Sequence, residues 1–175
     1  MNKGLIQVYT GDGKGKTTTA IGSAIRAAGC GKKVIFFQFL KFGNYICGEE
    51  KILKKVNNIK FIKFNEPSPI FDKKIDINKL KSNSKKHIYK AIEYINSGKY
   101  DVVILDELTH HFKYKTMKVK DFLKKIKNRP EYVEIIITGR YAPRTLLNNA
   151  DLVTDMKKIK HPYDRNIKAR RGIDY

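Results

Sequence analysis

The chain has 175 residues, with 37 Lys and Arg against 17 Asp and Glu for a formal charge of +20, and 41% hydrophobic and 31% charged residues. That balance is globular rather than disordered, and a domain of this length buries roughly 70% of its accessible surface, enough for a core without metal or disulfide staples. Two cysteines, Cys30 and Cys47, exclude a disulfide framework and a four-cysteine zinc site, and they predict a reduced compartment.

A single domain over residues 1–175 is expected. The first apolar run, Leu5 to Tyr9, is too short for a signal peptide, and no run approaches the ~18 residues of a membrane span, so a cytoplasmic protein without membrane contact is expected. The positive charge is spread out. Residues 51 to 90 carry twelve lysines against Glu66, Asp72 and Asp76, and residues 113 to 129 carry eight basic residues against Asp121. Spread charge of this kind reads mainly as solvated helix faces, with an acidic protein partner or nucleic acid as the functional alternatives.

Five short apolar, β-branched runs read as strands: Leu5 to Tyr9, Val34 to Phe39, Ile59 to Phe64, Val102 to Leu105 and Val133 to Thr138. Helical patterns lie between them. Residues 17 to 28 place Ala20, Ile21, Ala24, Ala27 and Ala28 on one face and stop at Gly29-Cys30-Gly31, and Ser84 to Ser97 stops at Gly98. The stretch from Asn65 to Asn78, with two prolines and no period, reads as a loop. Alternating strands and helices predict an α/β fold with a mostly parallel sheet, helices on both faces, and ligands at the carboxyl ends of the strands.

Directly after the first strand comes Thr10-Gly11-Asp12-Gly13-Lys14-Gly15-Lys16-Thr17-Thr18 and then a helix. This is the context of a phosphate-binding loop, with Thr10 in place of the usual first glycine. Glycines let backbone N–H groups turn toward phosphate oxygens, the helix N-terminus adds its dipole, Lys16 supplies a cation and Thr17 a hydroxyl for Mg²⁺. Val102 to Leu105 ends in Asp106-Glu107, adjacent carboxylates whose repulsion a bound cation would relieve.

The chain resembles the ATP:corrinoid adenosyltransferases, the P-loop type that acts on cobalamin, cobinamide or cob(I)yrinic acid a,c-diamide. The resemblance spans nearly the whole chain. It rests on Gly11 to Thr18, Gln38-Phe39-Leu40-Lys41 with Gly48-Glu49, Leu105-Asp106-Glu107-Leu108, and Thr138-Gly139-Arg140 with Ala142-Pro143. It continues through Ala150 to Thr154 and the tail, Lys160-His161-Pro162-Tyr163, Lys168-Ala169 and Gly172 to Tyr175. It implies a RecA-like P-loop fold and transfer of the 5′-deoxyadenosyl group of ATP to cobalt of a reduced cob(I) corrinoid, releasing triphosphate.

By the same resemblance Gly11, Asp12, Gly13, Lys14, Gly15, Lys16, Thr17 and Thr18 hold ATP, with Arg26 and Arg140 as nucleotide contacts. Thr17 and Glu107 flank Mg²⁺, Asp106 stands at or behind that ion, and Lys16, Thr17 and Glu107 carry the chemistry. Phe71 is the candidate to crowd the corrin's lower face. A homodimer and an acidic flavoprotein electron donor are the expected partners.

The chain departs from the family pattern at Phe42, which precedes Gly43, at Asn166, at Arg170 and in starting at the first strand. His87, His110, His111 and His161 show no partners at metal-ligand spacing, so no metal role is assigned to them, and His161 reads as a residue that folds the tail. The rivals are a nucleic-acid-dependent P-loop ATPase and a nucleoside kinase. Kinases with a similar core usually carry a cysteine zinc site that two cysteines cannot build.

Overall fold

Six strands form one all-parallel sheet: β1 (Ile6–Thr10), β2 (Val34–Gln38), β3 (Ile59–Lys63), β4 (Val102–Asp106), β5 (Glu134–Thr138) and β6 (Leu152–Asp155), in the order β3-β2-β4-β5-β1-β6. This is a computed structural model, and it describes residues 3–41, 47–67 and 76–174. The helices are α1 (Lys16–Gly29), α2 (Gly48–Leu53), α3 (Ile77–Asn96), α4 (Thr109–Lys113), α5 (Val119–Ile126) and α6 (Arg144–Leu147), followed by a 3₁₀ turn at Pro162–Arg165.

The central strands are apolar on both sides because both sides are covered. Val34 and Phe36 of β2 face a layer formed by Ala20, Ala24 and Ala28 of α1 and by Leu53 of α2. Ile35 and Phe37 face the opposite layer, where Ile88, Ile92 and Ile95 of α3 meet Phe122 and Ile126 of α5. The three alanines let α1 lie close on the sheet. That closeness brings its first turn, where the phosphate-type loop ends, up to the carboxyl edge of β1 and β4. Burying one of the large α3 or α5 side chains is worth about 1.5–3 kcal/mol, so these layers hold the strand ends in register.

The lysine-rich stretches turn their charges outward: Lys85, Lys86 and Lys90 of α3 and Lys120, Lys124 and Lys125 of α5 are exposed, while the apolar residues between them form the core. The five predicted strands are all present to within a residue at either end. Strand β6, four exposed residues added beyond β1, was not predicted as a strand, because an edge of this length carries no buried run. Helix α3 also begins at Ile77, inside the stretch expected to be loop.

Candidate active site

The carboxyl edge of the sheet gathers Thr10, Gln38, Asp106, Thr138 and Asp155 at the ends of five neighbouring strands. Above it the loop from Gly11 to Gly15 turns back on itself. Gly15 caps α1 at φ 117°, a backbone region that favours glycine. Gly13 is required for a different reason: its N–H donates to the Met156 carbonyl at 2.6 Å, and a Cβ there would meet that same oxygen at 2.6 Å. The exit of β6 therefore packs flush against the loop. Lys16 Nζ donates to the carbonyls of Gly11 (2.8 Å) and Gly13 (2.6 Å), so its ammonium sits inside the loop's curve. Burial lowers its pKa, against the pull of Glu107, Asp12 and Asp106 and with the push of Arg140.

Beneath the loop lies a carboxylate network. Asp106 is fully buried, and its Oδ1 accepts from Thr17 Oγ1 at 2.9 Å and Thr138 Oγ1 at 2.7 Å. Burial, then the charge of Glu107, push its pKa up to about 6, although the two threonine hydrogen bonds and Lys41 oppose the shift. Glu107 takes the left-handed φ of 66°, a conformation costing on the order of 1–3 kcal/mol for a residue with a side chain. Its N–H donates to Thr138 Oγ1 at 3.0 Å and its Oε2 meets His110 Nε2 at 2.8 Å. Burial would raise Glu107, but His110, Lys41 and Lys16 outweigh it and hold the carboxyl below its ordinary range.

Hydroxyl and carboxylate oxygens are the donor set of a hard divalent cation. No three His, Cys, Asp or Glu among the described residues are grouped to hold a metal ion. A cation taking Thr17 and Glu107 would thus complete its shell with water and phosphate oxygens, the usual habit of Mg²⁺.

A cavity of about 700 Å³ opens over this network. Its floor is Gly13 to Thr18 with Glu107, its sides include Gln38, Lys41, Cys47 and Arg140, and the tail residues His161, Tyr163, Lys168 and Asp174 close over it. His161 caps the 3₁₀ turn by accepting from Tyr163 N at 3.2 Å, and Asn166 ends it in the left-handed region at φ 58°. Asp174 pairs with Lys14 and with Arg170 Nε, tying the tail to the phosphate-type loop.

Of the residues singled out in the sequence, Gly13, Lys14, Gly15, Lys16, Thr17, Thr18, Glu107 and Arg140 line this one cavity. Asp106 lies just behind it, bonded to Thr17. Gly11 serves the loop through its carbonyl, Asp12 is exposed beside it, and neither lines the cavity. Arg26 is not brought to the site: it is exposed in the last turn of α1, about 14 Å along the helix from Thr17 at 1.5 Å per residue. Phe71, Phe42 and Gly43 lie outside the described residues.

Three of the histidines pair with carboxylates. His110 meets Glu107 only three residues before it, a spacing visible in the sequence, whereas His87 meets Glu66 at 2.5 Å and His111 meets Glu66 at 3.3 Å, pairs made across elements that residue spacing cannot reveal. Lys41 and Cys47 were not singled out as site residues either. The motif Gln38 to Lys41 did contain the signal for the first.

A family model for the ATP:corrinoid adenosyltransferases BtuR/CobO/CobP matches residues 2–175. The chain is 34% identical over 174 residues to the corrinoid adenosyltransferase of Escherichia coli (strain K12), covering 99% of this chain and 86% of that protein. It is 33% identical over 174 residues to the corrinoid adenosyltransferase CobA of Salmonella typhimurium, with 99% and 86% covered. Among solved structures, the flagellar accessory protein FlaH of Methanocaldococcus jannaschii shares the fold at a TM-score of 0.62 and 14% identity, over 89% of this chain and 72% of that one. The architecture is accordingly the RecA-like P-loop one. With phosphate-type loop, buried acid network and tail all within the matched span, the chain belongs to the ATP:corrinoid adenosyltransferase BtuR/CobO/CobP family.

Proposed function

We propose that this chain transfers the 5′-deoxyadenosyl group of ATP to cobalt of a reduced corrinoid, in adenosylcobalamin biosynthesis or salvage, through the cavity over Lys16 and Glu107. ATP-to-cobalt transfer is the reaction of its family. The observation that carries the reading is the convergence of a phosphate-type loop, a Thr17–Asp106–Thr138 network and Arg140 on one cavity in a chain matched over its length. Cob(I)yrinic acid a,c-diamide is the substrate we favour, with cobalamin and cobinamide as related acceptors.

Cobalt(I) is itself the nucleophile. Its electron pair forms the bond to C5′ while the C5′–O bond breaks and its pair leaves on triphosphate, so no side chain has to activate water. The protein must hold C5′ in line with cobalt and accept the charge growing on the leaving group. Gly11 to Thr18 form the triphosphate cradle in this reading. Lys16 exchanges two carbonyls for phosphate oxygens, and Arg140 and Lys41 supply charge from the cavity wall. Mg²⁺, when bound, adds positive charge at the departing oxygens. Thr17 and Glu107 would hold it, with Asp106 orienting Thr17 from behind.

Phe71 remains the candidate against the lower corrin face. A homodimer, an acidic flavoprotein as electron donor and a cytoplasmic setting complete the proposal; the flavoprotein suits a surface with a charge of +20. The test is anaerobic incubation with ATP, Mg²⁺ and chemically reduced cobalamin. A product with a light-sensitive carbon–cobalt spectrum is expected. Phosphate release stimulated by DNA or RNA at low salt, without that product, would move the chain to the nucleic-acid-dependent ATPase class.

A further inference from the structure

Glu66 lies where the chain leaves β3, and it is 1% exposed. Its Oε1 meets His87 Nδ1 of α3 at 2.5 Å, and its Oε2 meets His111 Nε2 of α4 at 3.3 Å. The same Oε2 accepts the backbone N–H of Leu40 at 3.3 Å. One buried carboxylate thus ties together the exits of β2 and β3 and two helices. Aromatic rings close the cluster: Phe64 stacks on His87 at 4.3 Å and Phe39 meets His111 edge-on at 5.3 Å.

A buried charged group costs desolvation that packed apolar side chains would avoid, so its retention calls for something apolar packing cannot do. Here that is directional. Leu40 is in the left-handed region at φ 52°, a strained state that persists only where the surroundings over-determine it. With the backbone so turned, the Leu40 side chain enters the core beneath α3 and the next residue, Lys41, enters the wall of the phosphate cavity. The Lys41 charge is felt there by both Asp106 and Glu107.

We propose that Glu66, clamped between His87 and His111, is a positioning residue for ATP: it fixes the Leu40 backbone and thereby aims Lys41 at the triphosphate. The inference rests on the proposed placement of ATP in this cavity, and it is read in nucleotide affinity so that corrinoid chemistry does not enter. Calorimetric titration of the full chain with ATP and Mg²⁺ should show Glu66→Ala and Lys41→Ala each weakening binding about tenfold, as expected for loss of a charge-assisted contact. The double variant should also lose about tenfold, because the two act through one contact.

Glu66→Gln should restore most of the affinity, since its amide oxygen can take Leu40 N–H and its NH₂ can face His87. His87→Ala, at a partly exposed position, loosens the clamp without opening the core. It should weaken ATP about threefold in the parent and not at all in a Lys41→Ala background, which keeps the test alive if Glu66→Ala does not fold. A hundredfold loss in the double variant, or a His87→Ala effect that survives without Lys41, would overturn the positioning role. Intact coupling in a protein that never forms the carbon–cobalt bond would instead strike at the adenosyl-transfer reading.

Discussion

Lys14 and Asp174 are ion-paired although 160 positions separate them in sequence, and the Lys14 ammonium also donates to the Ile173 carbonyl at 2.8 Å. One lysine of the phosphate-type loop is therefore committed to the tail, while the other, Lys16, points into the loop. The pair, with the Arg170 hydrogen bonds, holds the Asp174 carboxyl well below the usual carboxylate range.

This division predicts unequal effects. On the proposed placement of ATP, Lys16→Ala removes a charge-assisted phosphate contact of about 1.5–3 kcal/mol and should raise the ATP KM tenfold or more. Lys14→Ala breaks an exposed, solvent-screened pair and should raise it no more than a few-fold. Steady-state kinetics with saturating reduced cobalamin measure both, and equal effects would remove the distinction between the two lysines.

Cysteine chemistry separates the two thiols. Burial, followed by the Glu49 hydrogen bond, pushes the Cys47 thiol up to about 11, and Cys47 lines the cavity, whereas Cys30 is exposed at the end of α1. A thiol so raised carries far less thiolate at pH 8.5 than an ordinary one. Iodoacetamide should modify Cys30 quickly and Cys47 at least tenfold more slowly, with the difference lost in denaturant; mass mapping of the alkylated peptides decides it.

Glu66 predicts part of the acid sensitivity. Its pKa is lowered from 4.5: burial opposes the shift, and the hydrogen bonds and charge of His111, then His87, outweigh it. A depressed acid contributes stability that is present above the unfolded value, near 4.5, and is lost as pH falls through the lower folded value. Thermal melts from pH 7 to pH 3 should show the parent losing this share below about pH 4.5, with Glu66→Gln falling less steeply over the same window. Parallel curves would mean that the Glu66 charge does not stabilise the fold.

Much of this was legible in the sequence. The run Val102 to Leu105 is apolar on both faces, and so is Val34 to Phe37, as strands covered on both sides require; the loop glycines with Lys16 and Thr17, set between a strand and a helix, carry the expectation of a phosphate-type loop. What stayed hidden was carried by contacts between distant segments. Glu66, His87 and His111 come from three elements, so no spacing rule pairs them. Strand β6 is held by its ladder to β1 rather than by burial, and the tail's closure depends on a pair spanning nearly the whole chain. Arg26, whose residue type suits a nucleotide, lies in the last turn of α1 and does not line the cavity.

The most direct test of the central claim asks which bond of ATP breaks. With ATP labelled on the γ phosphate, Mg²⁺ and chemically reduced cobalamin under anaerobic conditions, the label should appear in triphosphate, one equivalent for each adenosylcorrinoid formed. The β,γ-methylene analogue of ATP should still support transfer, because the β–γ link stays intact in attack at C5′. Stoichiometric ADP and labelled phosphate, or complete inertness of a demonstrably bound methylene analogue, would contradict adenosyl transfer at this site.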